Sequence, residues 1–142
     1  MSVFDNLYKE IILEHYKSPR NRGKLDPHTV RQEGVNPSCG DELELYLLID
    51  GDQVTDVKFE GVGCAISQAS ASMMTAALKG KSVAEVRELA GDFKDMIHGE
   101  PPKESLGDLQ LLQGISKLHA RVKCATLPWV TLEEALDEAQ AA

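Results

Sequence analysis

The 142 residues carry 23 acidic and 15 basic side chains, a net charge of −8; so acidic a surface is repelled by nucleic-acid phosphates and by anionic lipid, and gains no released counterions from either. A chain of this length is expected to form a single domain over residues 1–142 and to bury roughly 70% of its unfolded surface, so it needs neither disulfides nor a metal merely to make a core. No stretch has the apolar run of a signal peptide or a membrane span, which argues for a cytoplasmic protein; with the charge, neither nucleic acid nor membrane is expected as a partner.

Phe4, Leu7, Tyr8, Ile11, Ile12 and Tyr16 fall at helical spacing, predicting an amphipathic helix that Pro19 and Gly23 stop. Strand character begins near Val30. It returns where Leu43, Leu45, Leu47 and Ile49 alternate onto one face, and Asp50-Gly51-Asp52 turns this strand into a second one that carries Val57 and Phe59, making an antiparallel hairpin. The small-residue run from Cys64 to Leu78 predicts a closely packed helix ended by Gly80. Ser82-Val-Ala-Glu85 is a capping-box pattern opening a short helix expected to end near Gly91. Asp92 to Ser105 reads as irregular, and a further helix is expected around Leu106 to Gln113. A final helix contains Leu127, Trp129, Leu132, Leu136 and Ala139. Its start is placed either at Pro128 or at a second capping pattern, Thr131-Leu-Glu-Glu134. The expected class is α+β: a small antiparallel sheet of about three strands with helices packed on one side, and the cysteines gathered at one exposed, solvent-accessible end.

Three cysteines, an odd number, argue in a reducing compartment for metal ligation or thiol chemistry over a disulfide framework. With Asp41 they form a suitable four-ligand set for tetrahedral zinc or for the irons of a small cluster. In extended chain, residues two apart point the same way, so Cys39 and Asp41 can face one ion across Gly40. Taken alone, Cys-x-Asp is a weak signal, and a solvated turn carboxylate explains Asp41 as well. Cys64 opens a helix, where the dipole and free N–H groups favour a thiolate, although a buried cysteine packed as a small hydrophobe fits the same position. Cys124 follows Arg121-Val-Lys123, whose charges can steady anionic sulfur or simply sit in solvent. The four histidines share no ligand spacing; His119, near Cys124 in sequence, is a candidate auxiliary ligand.

The order of four segments makes the chain resemble the U-type iron–sulfur cluster assembly proteins, the family of IscU, SufU and the amino-terminal part of NifU. They are His15-Tyr-Lys-Ser-Pro-Arg-Asn-Arg-Gly23, Asn36-Pro-Ser-Cys-Gly-Asp41, Phe59-Glu-Gly-Val-Gly-Cys-Ala-Ile-Ser-Gln-Ala-Ser-Ala-Ser-Met73 and Arg121-Val-Lys-Cys-Ala-Thr-Leu-Pro-Trp129. The resemblance implies an IscU/SufU-like fold and a metal or cluster site of Cys39, Asp41, Cys64 and Cys124. IscU-type scaffolds have a histidine directly before the third cysteine, where this chain has Lys123, and the additional stretch from about Asp92 to Ser116 is similar to one that SufU-type members carry. The SufU subtype implies a zinc-bound partner of a SufS-like cysteine desulfurase, with Cys39 accepting persulfide sulfur and Arg121 as an auxiliary, the whole acting as a zinc-dependent sulfurtransferase. Two other readings stay open. One is a non-enzymatic scaffold that assembles a transient [2Fe-2S] cluster, or holds iron, and passes it to downstream assembly machinery or apoproteins. The other is an interaction module in which zinc merely ties the hairpin to the helices.

Overall fold

The computed structural model describes residues 3–38 and 40–141, with side chains over 9–38 and 40–140. Its elements are α1 (Val3–Lys17), β1 (Val30–Asn36), β2 (Asp41–Asp50), β3 (Gln53–Val62), α2 (Ala65–Leu78), α3 (Val83–Ile97), two 3₁₀ segments (Glu104–Lys117 and His119–Arg121) and α4 (Val122–Ala141). The three strands form one antiparallel sheet in the order β1-β2-β3.

Strand alternation sorts the side chains as the pattern predicts. Leu43, Leu45 and Leu47 of β2 are buried, as are Val57 and Phe59 of β3 and Val30 of β1, and α2 and α4 cover this face. The opposite face carries Glu33, Glu44 and Arg31, with the Arg31 guanidinium 2.8 Å and 2.7 Å from the two carboxylates. Helix α4 comes so close to β1 that a Cβ on Gly34 would collide with Thr131 Oγ1. The free edge of β3 is paired in turn: Gly23 N–H donates to the Phe59 carbonyl (2.8 Å) and Phe59 N–H to the Asn21 carbonyl (3.0 Å).

Three elements differ from their sequence expectation, each for a packing reason. The capping box at Ser82 and Glu85 is present in both directions, but α3 runs through Gly91 to Ile97. Phe93, Met96 and Ile97 continue its buried face, and Phe93 stacks on Trp129 with centroids 4.5 Å apart; that burial outweighs the roughly 1 kcal/mol a helical glycine costs. The stretch from Glu104 to Lys117 is 3₁₀ rather than α, bent at Gly107. Its buried residues Leu106, Leu109, Leu112 and Ile115 recur every three positions, which matches a helix of three residues per turn.

The last helix starts at Val122, upstream of both expected starts, and takes in Pro128. Proline offers no N–H to the carbonyl four residues earlier, while burial of Ala125, Trp129, Leu132 and Leu136 on one side holds the helix together. Thr131 is not a cap; its hydroxyl donates to the Leu127 carbonyl at 2.8 Å. No helix among the described residues is long and apolar enough to cross a membrane.

Candidate metal centre

Three elements deliver the candidate ligands. Asp41 is the first residue of β2 and pairs with Asn36 at the end of β1. Cys64 follows β3 and is the N-cap of α2, with extended backbone and a side chain that makes no cap hydrogen bond. Cys124 lies in the first turn of α4, not in a loop before it, so the upstream start of that helix is what brings its sulfur inward. One ligand atom from each of Asp41, Cys64 and Cys124 can be chosen so that all lie within 4.8 Å of one another. The sequence separates these residues by 23 and 60 positions; the fold brings them together. Cys39, the fourth expected ligand, lies outside the described residues.

The Asp41 carboxylate is divided in its bonding. Its Oδ1 accepts the Cys64 backbone N–H at 2.9 Å and the Ser67 hydroxyl at 3.2 Å. Its Oδ2 is buried and has no hydrogen-bond partner among the described residues. A buried carboxylate oxygen left unpaired costs at least about 1–3 kcal/mol, and an ion between it and two sulfurs would remove that cost. One oxygen and two thiols suit a borderline-soft divalent ion such as zinc, and a closed tetrahedral site would take one more ligand. The residues present fit a metal. Cys124 Sγ also receives a long contact from Asn36 Nδ2 at 3.9 Å.

The centre is more enclosed than the cysteine pattern suggests: Asp41 and Cys124 are 1% and 0% exposed, and only Cys64 is partly open. Asp41 begins an inner-facing strand and Cys124 begins the inner face of α4, so both turn toward the core. Arg121 is exposed on the last 3₁₀ turn and lines an open cleft with Asn36, Ser38, His119, Ala120 and Lys123. Asn36 belongs to both the cleft wall and the Cys124 contact. His119 lies outside the ligand group that the described residues form.

Sequence reasoning passed over three supporting residues. Ser67 is three positions after the N-cap, a place where a hydroxyl can serve a neighbouring chain as well as the helix, and this spacing was a usable signal. Gly63 is a cradle: a Cβ there would fall on Asp41 Oδ1 and, 2.6 Å away, on Ser67 Oγ. Ser70, whose hydroxyl donates to the Ala125 carbonyl at 2.6 Å and accepts from Trp129 Nε1 at 3.1 Å, fastens α2 to α4 one turn beyond the site.

This fold and this arrangement of donors define a U-type domain, and comparison with known proteins agrees. Residues 7–125 match the family described as the NifU-like N terminal domain. The chain is 50% identical over 132 residues to the zinc-dependent sulfurtransferase SufU of Bacillus subtilis (strain 168), covering 92% of this chain and 89% of that one. It is 47% identical over 135 residues to the iron–sulfur cluster assembly scaffold protein IscU of Thermotoga maritima, covering 94% and 95%. Among solved structures, a putative iron–sulfur cluster assembly scaffold protein for the SUF system from Fervidobacterium islandicum AW-1 superposes with a TM-score of 0.87 at 42% identity, over 92% of this chain and 97% of that one. The chain belongs to the NifU-like N-terminal domain family of iron–sulfur cluster assembly proteins.

Proposed function

We propose that this protein serves iron–sulfur cluster biogenesis in the cytoplasm as a zinc-bound sulfur acceptor for a SufS-like cysteine desulfurase, residues 1–142 acting as one domain. The observation that carries the reading is the grouping of the Asp41 carboxylate with the Cys64 and Cys124 sulfurs within 4.8 Å, where the buried Asp41 Oδ2 has no hydrogen-bond partner among the described residues. Asp41, Cys64 and Cys124 would hold zinc, with Cys39 as the fourth ligand. When bound, zinc keeps its thiol ligands as thiolates at neutral pH.

Cys39 is the proposed sulfur acceptor. Its thiolate attacks the outer sulfur of the desulfurase persulfide; the S–S bond of that persulfide breaks, the electron pair leaves on the desulfurase cysteine, and the persulfide now sits on Cys39 with no net redox change. Arg121, which lines the cleft that Asn36 shares with the centre, would steady the anionic sulfur. The acceptor persulfide then passes to downstream assembly machinery.

A scaffold role for a [2Fe-2S] cluster is the second reading, favoured by the similarity to the Thermotoga maritima protein. Desulfurase turnover measured with zinc-loaded, metal-free and Cys39→Ala protein separates the two. The sulfur-acceptor reading expects stimulation by zinc-loaded protein alone. Full stimulation by Cys39→Ala defeats it, and a brown, iron- and sulfide-containing protein on anaerobic purification supports the scaffold.

A further inference from the structure

We infer that Ser67 is a positioning residue for the metal centre: its hydroxyl, with the Cys64 N–H, fixes the Asp41 carboxylate so that Oδ2 is presented to the ion. The inference rests on reading Asp41 as a ligand. A serine hydroxyl has one proton, and Ser67 Oγ has two acceptors in range, Asp41 Oδ1 at 3.2 Å and the Cys64 carbonyl at 3.0 Å. The carbonyl already receives the Gln68 N–H at 3.1 Å, the first bond of α2. A carboxylate that ligates an ion accepts the stronger, charge-assisted bond, so the Ser67 hydroxyl hydrogen is directed at Asp41 Oδ1.

With two donors on Oδ1, the planar carboxylate is held at one corner from two directions, which sets where Oδ2 points. Gly63 closes the remaining side, since even a methyl group at its α-carbon would overlap both Asp41 Oδ1 and Ser67 Oγ. Ser67 is only 4% exposed, so water does not readily replace its hydroxyl. Such outer partners of a ligand ordinarily govern affinity by about 10–100-fold.

Ser67 occupies the third position of α2, where alanine is at least as good a helix former, so Ser67→Ala is expected to fold. The test measures the zinc dissociation constant by competition with a chromophoric chelator for wild type, Ser67→Ala, Ser67→Thr and Asp41→Ala. Alongside it go thermal midpoints with and without metal, and the visible bands of the cobalt(II)-loaded proteins. Ser67→Ala should weaken zinc binding about 10–100-fold, shrink the metal-dependent rise in thermal midpoint and shift the cobalt bands. Ser67→Thr, which keeps the hydroxyl, should restore all three. Wild-type zinc affinity in Ser67→Ala overturns the inference, as does an equal loss of thermal midpoint in the metal-free and metal-loaded protein. If Asp41→Ala weakens binding while Ser67→Ala does not, only the role of Ser67 fails; if Asp41→Ala also binds zinc normally, the metal-centre reading itself fails.

Discussion

At its C-terminal half α2 offers Ser72 and Thr75 to the end of α1 and the segment that follows it, and both hydroxyls have a use. Ser72 Oγ meets His15 Nδ1 at 2.6 Å and accepts the Arg20 N–H at 2.7 Å; Thr75 Oγ1 accepts from Asn21 Nδ2 at 3.1 Å and donates to the Ser72 carbonyl at 2.8 Å. At its N-terminus the same helix caps itself with a cysteine that makes no side-chain cap bond, beside a buried carboxylate oxygen that has no partner among the described residues. Both regions bury polar groups against one helix. The first is complete in itself and reads as structure, whereas the second leaves the Asp41 Oδ2 without a hydrogen-bond partner among the described residues, as a binding site does before its ligand is counted.

Breaking either end should therefore give different signatures. The largest effect is expected from Cys64→Ala, which removes a proposed ligand and should weaken zinc binding by more than about 100-fold, beyond the range for outer partners, as measured by chelator competition. Gly34→Ala should cost about 1–3 kcal/mol by forcing α4 away from β1 at Thr131, read as a lower denaturation midpoint. Because Cys124 rides on α4, that variant should also bind metal less tightly.

His15→Ala should cost about 1–3 kcal/mol by leaving buried Ser72 short of a partner, with zinc affinity unchanged. Equal damage to metal binding would mean that the two ends are not independent. The same histidine gives the complete end a pH dependence. Burial first, and the Arg20 charge second, hold the His15 imidazole below its ordinary value of 6.5. The unfolded chain thus takes up the proton before the folded one does, and stability should fall as pH drops below about 6.5. Thermal midpoints of wild type and His15→Gln across that range check the sign: the wild type should lose more. The smallest effect is at Ser82, where Ser82→Ala removes the α3 cap and should cost about 1 kcal/mol.

The strands, the hairpin and the α3 cap were legible because period-two alternation and cap chemistry are local. The extent of α3 was not, since what carries it past Gly91 is the stacking of Phe93 on Trp129, a contact spanning 36 positions that no short window contains. The start of α4 was missed for a related reason: Pro128 and Thr131 are sound local signals, but buried Ala125 and Trp129 override them. At the centre, residue type and motif singled out Asp41, Cys64 and Cys124, while the roles of Ser67 and Gly63 emerge only once β2 and the N-terminus of α2 lie side by side.

The pairing of residues 21–23 with β3 has a further reach. Arg22 donates from Nη2 to the Gly61 carbonyl at 2.9 Å and from Nη1 to Gln68 Oε1 at 3.1 Å, extending the cover from Phe59 toward the turn that carries Cys64. A visiting polypeptide that tried to zip onto the sheet along this flank would first have to unclip that arginine. Strand addition beside β3 is thereby obstructed around Phe59 and Gly61, next to the cysteine-bearing turn.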